Sequence, residues 1–385
     1  MPIPSSSAAA AFSSAERVSR MVDDVCAWAR CESPTDSAAA VDAMMDLMID
    51  GLGDAPVAVE RIPGRDGLGG SVILRAGPTT SETHALVMSH LDTVHPIGTA
   101  RDDLRVRVEG DRLYGPGVYD MKGGAYLALQ GFLEVARKGT ARRPMVYLFT
   151  PDEEIGSPTT RSLIEHLGRE AQAVLVTEPA RDGGKIVTCR KGVGRFDLHV
   201  EGRPAHSGSR HPDGRNAIHE AARQIAVIEA LTDYARGVTT TVGMIKGGTA
   251  MNTIPQHCRF GVDLRVETAA DGEDFSARIL GLAPQKPDFK VRVTGGMNRP
   301  PFERTPEVAA LFETAVGLAA EIGFPLTETS RTGGGSDGNF TAGLGVATLD
   351  GLGIDGDGAH TLDEYGLVSS LAPRAQLIAR LLETV

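Results

Sequence analysis

The chain has 385 residues, of which 41% are hydrophobic and 23% are charged, an ordinary composition for a globular protein but longer than one hydrophobic core usually supports. Its net charge of −11 at pH 7 disfavours nucleic acid or an anionic membrane surface as the main partner. The four cysteines form no Cys-x-x-Cys pair, and no apolar run approaches membrane-spanning length. Residues 1–14 lack the pattern of a secretory signal, so we expect reduced thiols and a two-domain protein in the cytoplasm.

The first half of the chain alternates predicted helices with short apolar strands. Helical spacing of apolar residues predicts helices at 15–30, 38–52, 125–136 and 163–167. Apolar runs bounded by polar residues predict strands at 71–74, 85–88, 145–149 and 173–176, and an alternating stretch predicts one at 104–108. This alternation is typical of an α/β fold with a mixed, largely parallel sheet flanked by helices.

Three of these predicted strands end directly before acidic or imidazole side chains. His90 follows the strand at 85–88, Glu153 and Glu154 follow the strand at 145–149, and Glu178 follows the strand at 173–176. Ligand sites of open α/β sheets lie just beyond the carboxyl ends of the strands. We therefore expect these four side chains to lie close together.

His90 and Asp92 form a His-x-Asp pattern at the end of an apolar strand. Residues i and i+2 of an extended chain face the same side, so Asp92 is placed to orient the ring of His90. The pattern is short and, taken alone, fits a structural hydrogen-bonded pair equally well. His95 follows closely and has no predicted role.

Residues 187–301 show a different pattern, in which apolar and polar residues alternate along half-exposed strands. The predicted order β-α-β-β-α-β is that of a ferredoxin-like α+β unit. We therefore predict an inserted domain at 187–301 and a discontinuous domain formed by 1–186 and 302–385. In the segment 302–385 we predict a helix that begins near Thr305, a glycine-rich loop at 331–340, a strand at 346–349 and a last helix at 367–382.

Six acidic or imidazole residues form the candidate metal site: His90, Asp120, Glu153, Glu154, Glu178 and His360. Asp120 lies on a glycine-rich loop ahead of the predicted helix at 125–136. Imidazoles and carboxylates without thiolates suit a hydrolytic ion such as Zn²⁺, and they also accept Co²⁺ or Mn²⁺. Two neighbouring ions would need one bridging carboxylate and about two further ligands each, which leaves one of the six as a base.

Six motifs occur in order along most of the chain: Ser-His-Leu-Asp-Thr-Val (89–94), Gly-Val-Tyr-Asp-Met-Lys-Gly-Gly (117–124), Pro-Asp-Glu-Glu-Ile-Gly (151–156), Thr-Glu-Pro (177–179), Gly-Arg-Pro-Ala-His-Ser-Gly (202–208) and Gly-Gly-Gly-Ser-Asp (333–337). With this series the chain resembles the M20 metallopeptidases, and among them the glutamate carboxypeptidases that cleave folates. The resemblance implies a zinc peptidase-like fold, a lid and dimerisation domain, and two Zn²⁺ per subunit. It also implies that His90 and Glu178 hold one ion, that Glu154 and His360 hold the other, that Asp120 bridges them, and that Glu153 is the general base.

The resemblance further implies substrate contacts in the inserted domain. His206 would donate a hydrogen bond to the oxyanion from the partner subunit of a homodimer, and Arg265 and Asn252 would bind a substrate with a free carboxylate. We assign Gly334, in the glycine-rich loop, as a further substrate contact. From the residues alone, a loop histidine such as His206 is more often a surface residue, and an alternative for Arg265 is a solvated arginine that pairs with Asp263 or a neighbour.

The predicted function is hydrolysis, by metal-activated water, of the amide bond of a C-terminal amino acid, glutamate before others, or of a similar N-acyl amino acid. The main alternative is an N-acyl amino acid deacylase or deacetylase of the acetylornithine or succinyl-diaminopimelate type. Two remote alternatives are a peptide-binding protein without a metal and a phosphate-binding module built on Gly333–Gly335. That loop lacks the Lys-Ser/Thr ending of a P-loop.

Overall fold

The computed structural model describes residues 12, 14–79, 81, 83–329 and 332–385. Most of the predicted N-terminal leader, and Arg331 at the start of the predicted glycine-rich loop, lie outside the described residues. The strands are β1 Ala58–Ile62, β2 Ser71–Ala76, β3 His84–His90, β4 Arg107–Glu109, β5 Arg112–Tyr114, β6 Met145–Thr150, β7 Ala171–Val176, β8 Gly192–Glu201, β9 Ala205–His206, β10 Thr239–Gly247, β11 Thr253–Ile254, β12 His257–Val266, β13 Lys290–Arg299, β14 Thr348–Leu349, β15 Gly356–Asp357 and β16 Tyr365–Leu367. The α-helices are α1 Ala15–Arg30, α2 Ala38–Asp50, α3 Gly123–Lys138, α4 Arg161–Arg169, α5 Ala217–Glu229, α6 Ala269–Leu280, α7 Pro306–Ile322, α8 Gly338–Gly343 and α9 Val368–Thr384.

The described chain forms two compact units. Unit 1 comprises the chain up to Cys189 together with Arg304–Thr332 and Ser336–Val385. Unit 2 comprises Arg190–Glu303 and the three glycines Gly333–Gly335. The inserted domain was predicted at 187–301, so its boundaries differ from those of unit 2 by two or three residues. The prediction placed the three glycines in the discontinuous domain, whereas they belong to unit 2.

Unit 1 is built on a sheet with the strand order β1-β2-β6-β3-β7-β14. The neighbours β6, β3, β7 and β14 run parallel, whereas β1 and β2 add an antiparallel edge. Strands β3 and β6 are buried along their whole length, because helices and loops cover both faces of the sheet. The predicted mixed, largely parallel sheet is therefore confirmed.

The helices of unit 1 begin and pack as their sequences predict. Thr305 caps α7, since its hydroxyl accepts a hydrogen bond from the backbone N–H of Val308 at 3.3 Å. Helix α3 packs closely against α9 at Gly131, where an added Cβ would lie 2.7 Å from the carbonyl oxygen of Ala375. Only glycine allows the two helices to approach this closely.

One part of the predicted glycine-rich loop is helical instead. Residues Gly338, Asn339 and Phe340 were assigned to the loop, but they begin α8. Phe340 is buried in an apolar cluster with Val176 and Ile164. The burial of this ring stabilises a short helix that the glycine content did not suggest.

Unit 2 is the predicted ferredoxin-like unit. Its elements follow one another in the order β8, α5, β10, β12, α6 and β13, and its antiparallel sheet has the strand order β10-β12-β8-β13. Along β12, the residues from Cys258 to Val266 alternate, with every second side chain buried beneath the helices. The opposite face of the sheet carries the polar side chains. In the described part of the chain, no helix combines the length and the apolar character needed to cross a membrane.

Candidate metal centre

The carboxyl ends of three neighbouring parallel strands carry the acidic and imidazole residues that the sequence singled out. His90 is the last residue of β3 and pairs in register with Thr150, the last residue of β6. Glu153 and Glu154 lie in a short 3₁₀ turn just after β6, and Glu178 lies two residues beyond β7. The parallel pairing therefore brings them to one edge of the sheet, as expected from the sequence.

Asp120 lies between two histidines that come from distant parts of unit 1. Its Oδ1 atom is 3.3 Å from His90 Nε2, and its Oδ2 atom is 3.4 Å from His360 Nε2. His90 Nε2 is also 3.7 Å from Glu178 Oε1, and His360 Nε2 is 3.1 Å from Glu154 Oε2. Each oxygen of Asp120 thus faces a different histidine, which is the arrangement of a carboxylate that bridges two ions.

The electrostatics of this cluster favour positive charge. Burial opposes protonation of His90, but hydrogen bonds with Asp120 and Asp92 outweigh it and raise the pKa of His90 well above its usual value. Hydrogen bonds with Asp120 and Glu154 raise the pKa of His360 to about 10. Burial would raise the pKa of Asp120, but hydrogen bonds from both histidines outweigh it and hold that pKa far below its usual range. The cluster therefore attracts protons or metal ions, which compete for the same atoms.

The donor set fits a pair of divalent cations. Among the described residues, Glu154 Oε1 is a buried carboxylate oxygen without a hydrogen-bond partner, and burial of such an atom costs free energy that a cation would offset. Ligand atoms of His90, Glu153 and Glu178 lie within 4.8 Å of one another, and so do those of His90, Asp120 and Glu154. In a tetrahedral zinc site, neighbouring ligand atoms are roughly 3.3 Å apart, close to the separations found here.

Asp92 supports this centre through more contacts than the sequence suggested. The backbone carbonyl of Asp92 accepts a hydrogen bond from His90 Nδ1 at 2.9 Å, and its carboxylate lies 3.3 Å from the same nitrogen. Because a carbonyl only accepts, Nδ1 carries the hydrogen and the Nε2 lone pair is left for a metal. The Asp92 carboxylate also accepts hydrogen bonds from the backbone N–H groups of Glu153 and Glu154, both at 3.2 Å, and so fixes their turn.

Glu364 is a buried residue of the site region that the sequence did not single out. Its carboxylate accepts hydrogen bonds from backbone N–H groups in the Asp120 loop and from His95 Nε2 at 2.9 Å. His95, which had no predicted role, therefore has a partner. The only local signal was the acidic pair Asp363-Glu364 shortly after His360, and nothing in the sequence indicates which of the two is buried.

Two of the predicted substrate residues meet in unit 2. Strands β9 and β11 form a two-stranded ribbon in which His206 pairs with Thr253, and the backbone N–H of Ser207 donates to the carbonyl of Asn252 at 3.0 Å. His206 Nδ1 accepts hydrogen bonds from the N–H groups of Gly208 and Ser209 at 3.1 and 3.2 Å. The ring hydrogen is therefore on Nε2, where it can be donated.

Arg265 and Gly334 form a second group in unit 2. Arg265 makes a bidentate pair with Asp263, with its Nε and Nη2 atoms 2.7 and 2.9 Å from the two carboxylate oxygens. Its Nη1 atom donates to the carbonyl of Gly333 at 3.2 Å, and the carbonyl of Gly334 accepts from Arg190 at 3.2 Å. The pairing with Asp263, which the sequence left open as an alternative, is thus present beside the glycine loop.

Comparisons with known proteins show what the chain is similar to. A model of the peptidase family M20/M25/M40 matches residues 86–384. The chain is 32% identical to carboxypeptidase G2 from Pseudomonas sp. (strain RS-16), over 77% of this chain and 72% of the relative. It is 30% identical to succinyl-diaminopimelate desuccinylase from Cupriavidus taiwanensis, over 85% of each protein.

Two solved structures share the fold at low sequence identity. Aminopeptidase PepT from Bacillus cereus ATCC 10987 is similar with a TM-score of 0.74 at 21% identity, over 95% of this chain and 98% of that one. The YXEP protein from Bacillus subtilis, described as a dinuclear metal-binding peptidase of the M20 family, has a TM-score of 0.69 at 13% identity, over 96% of this chain and 99% of that one. These likenesses confirm the predicted fold class.

Proposed function

The chain belongs to peptidase family M20/M25/M40, and on that premise we propose that it is a dizinc hydrolase that removes a C-terminal glutamate, or a similar amino acid, from an N-acyl or peptide-like substrate. The observation that carries the proposal is the Asp120 carboxylate, whose two oxygens face His90 and His360. Carboxypeptidase G2 is among the relatives, and YXEP is described as dinuclear. Zn²⁺ is the proposed ion, although the same ligands accept Co²⁺ or Mn²⁺.

Each residue of the centre has a proposed task. His90 and Glu178 would hold one ion, Glu154 and His360 would hold the other, and Asp120 would serve both. Two bound cations supply polarisation of the substrate carbonyl and activation of water. Glu153 takes a proton from the attacking water and delivers it to the leaving nitrogen, while Asp92 holds the ring of His90 and the turn of Glu153.

The proposed substrate contacts come from unit 2. His206 donates its Nε2 hydrogen to the carbonyl oxygen as negative charge develops there, which stabilises the transition state. Asn252, Arg265 and Gly334 bind the free carboxylate of the substrate, for which the planar Arg265 guanidinium is a matching fork. A small substrate of this kind needs no nucleic acid or membrane partner.

A homodimer formed through unit 2 belongs to the same proposal. Strand β10 lies at one edge of the sheet of unit 2, where Met244 and Ile245 are 77% and 56% exposed beside an open groove of about 1050 Å³. An exposed apolar edge strand is a ready surface for pairing with a second chain. A cytoplasmic location stays a prediction from the sequence.

A second candidate activity is favoured by several relatives that are described as succinyl-diaminopimelate desuccinylases. The succinyl-diaminopimelate desuccinylase matches over 85% of both chains, so removal of an acyl group from an amino acid is the alternative reaction. The same centre would serve both reactions, because both hydrolyse an amide bond. Both kinds of substrate carry a free α-carboxylate on the amino acid that is released, so the two reactions differ in the acyl group and in the side chain of that amino acid.

The proposed function is tested by a hydrolysis screen of the purified protein after removal of metals and titration with Zn²⁺. N-acyl and folyl glutamates are compared with N-acetylornithine and N-succinyl-diaminopimelate, and free amino acid is measured. We expect activity to rise up to two Zn²⁺ per chain and to be highest on the glutamates. Preference for the ornithine or diaminopimelate substrates would favour the deacylase, and no amide hydrolysis at any Zn²⁺ level would reject both activities.

Arg265→Ala is expected to raise KM for a C-terminal glutamate substrate about 10- to 100-fold with a smaller change in kcat, because it removes a bidentate, charge-assisted contact to the carboxylate. Steady-state kinetics check this. Arg278→Ala is the matched control, since Arg278 makes an equivalent pair with Asp274, at 2.9 and 2.8 Å, elsewhere in unit 2. An unchanged KM in Arg265→Ala would mean that this arginine serves only its pair with Asp263.

A further inference from the structure

Four hydrogen-bond donors of unit 1 surround the Glu364 carboxylate, two at each of its oxygen atoms. Its Oε1 atom accepts from the backbone N–H groups of Tyr119 and Asp120, both at 2.9 Å. Its Oε2 atom accepts from the N–H of Gly117 at 3.0 Å and from His95 Nε2 at 2.9 Å. Glu364 is only 1% exposed, so these bonds replace the water that a carboxylate normally binds.

The backbone that Glu364 holds is irregular and depends on this acceptor. Gly117 has a φ of 73°, a left-handed conformation that favours glycine, and Asp120 has the non-helical angles φ −116° and ψ 93°. The N–H groups of Tyr119 and Asp120 point to Glu364, and buried N–H groups without an acceptor cost free energy. Glu364 therefore determines the backbone position from which the Asp120 side chain projects.

The same carboxylate connects the loops that carry three of the proposed ligands. Glu364 follows His360 by four residues, His95 follows His90 by five, and Asp120 is itself one of the hydrogen-bond donors. These three loops are joined through Glu364, so movement of one loop stretches the hydrogen bond by which Glu364 connects it to the others. The relative position of the two histidines and the carboxylate between them is thus tied to one buried group.

We propose that Glu364, together with His95, is a positioning residue of the metal centre, which sets the spacing of Asp120 between His90 and His360 and thereby the affinity for the two cations. The inference rests on the proposed function, in which Asp120 bridges the ions. Glu364 does not touch substrate or metal in this account. It acts through the backbone of Asp120, in the way that outer hydrogen-bond partners tune metal sites.

Glu364→Gln tests the proposal, because the amide keeps the size of the side chain but turns one acceptor oxygen into a donor that faces N–H groups. We expect the variant, stripped of metal, to fold, and to bind at least one Zn²⁺ about 10- to 100-fold more weakly in competition with a chromophoric chelator. The visible absorption spectrum of its Co²⁺ form should also differ from that of the unaltered protein. Asp363→Asn, the same change of charge at the exposed neighbouring residue, should alter neither measurement.

Two full-affinity sites and an unchanged Co²⁺ spectrum in Glu364→Gln would overturn the proposal, even if the Tm of the metal-free protein fell, since Glu364 would then support folding alone. If Glu364→Gln does not fold, His95→Phe decides, because it keeps a ring but removes one of the four donors. Weaker metal binding in a folded His95→Phe protein supports the proposal, and unchanged binding rejects it. Failure of the proposed function appears separately, as an unaltered protein that binds two ions without hydrolysing amides.

Discussion

Glu153→Gln is expected to bind two metal ions and to lose about 10²- to 10⁴-fold in kcat, the range usual for removal of a general base. The amide has the size of the carboxylate but cannot take a proton from water at neutral pH. The substitution should leave the turn at residue 153 unchanged, because the backbone N–H of this residue donates to the Asp92 carboxylate and this bond does not involve the side chain of residue 153. The measurements are metal content by elemental analysis and kcat at saturating substrate.

The structure makes the metal content of this variant informative. Glu153 has a ligand atom within 4.8 Å of those of His90 and Glu178, so it is close enough to serve as a ligand itself. Loss of one ion from Glu153→Gln would reassign Glu153 as a ligand, and near-normal kcat would remove it as the base. Glu170→Gln, at an exposed position just before β7, is the control for loss of one acid in the same unit.

His206→Ala is expected to lower kcat about 10²- to 10³-fold, the usual cost of one lost oxyanion donor. If His206 serves the partner's site, then mixing His206→Ala and Glu153→Gln subunits should restore activity. Each mixed dimer would contain one site with both an intact Glu153 and an intact His206. After random exchange, about one quarter of the unaltered activity should return.

Recovery depends on subunit exchange, which a size or affinity tag on one variant would verify. With exchange verified, absence of recovery would show that His206 acts within its own chain or not at all. His211→Ala is the control, since His211 is an exposed histidine of the same loop region and should leave kcat unchanged. The Nε2 hydrogen implied by the bonds at Nδ1 is required in either case.

Much of the candidate site could be predicted because three of its proposed ligands follow strands. His90, Glu154 and Glu178 come directly after apolar runs, and in a parallel sheet the ends of neighbouring strands meet. Asp120 and His360 do not follow predicted strands, so only their residue types made them candidates, and their separate roles were assigned through the resemblance. Their convergence depends on loops that the sequence pattern does not describe.

Glu364 shows where prediction from the sequence ends. Its hydrogen bonds join it to Gly117, Tyr119 and Asp120, residues more than 240 positions earlier in the chain. Three of its four donors are backbone groups, which leave no trace in the residue types. Strand β1 was missed because none of its five residues is buried, so it lacks the alternation that indicates a half-buried strand. The strand predicted at 104–108 overlaps β4 only at residues 107 and 108.

The discontinuity of unit 1 has a consequence for synthesis of the protein. His90, Asp120, Glu153, Glu154 and Glu178 are all synthesised before unit 2, but His360 and Glu364 follow it. Segments at the N-terminal side generally fold first during translation. A growing chain can therefore form the central strands early. Until residues 360–364 emerge, it has only one of the two facing histidines and lacks the carboxylate that holds the Asp120 loop. Assembly of the complete proposed centre is in this way postponed until the segment that follows unit 2 has been made.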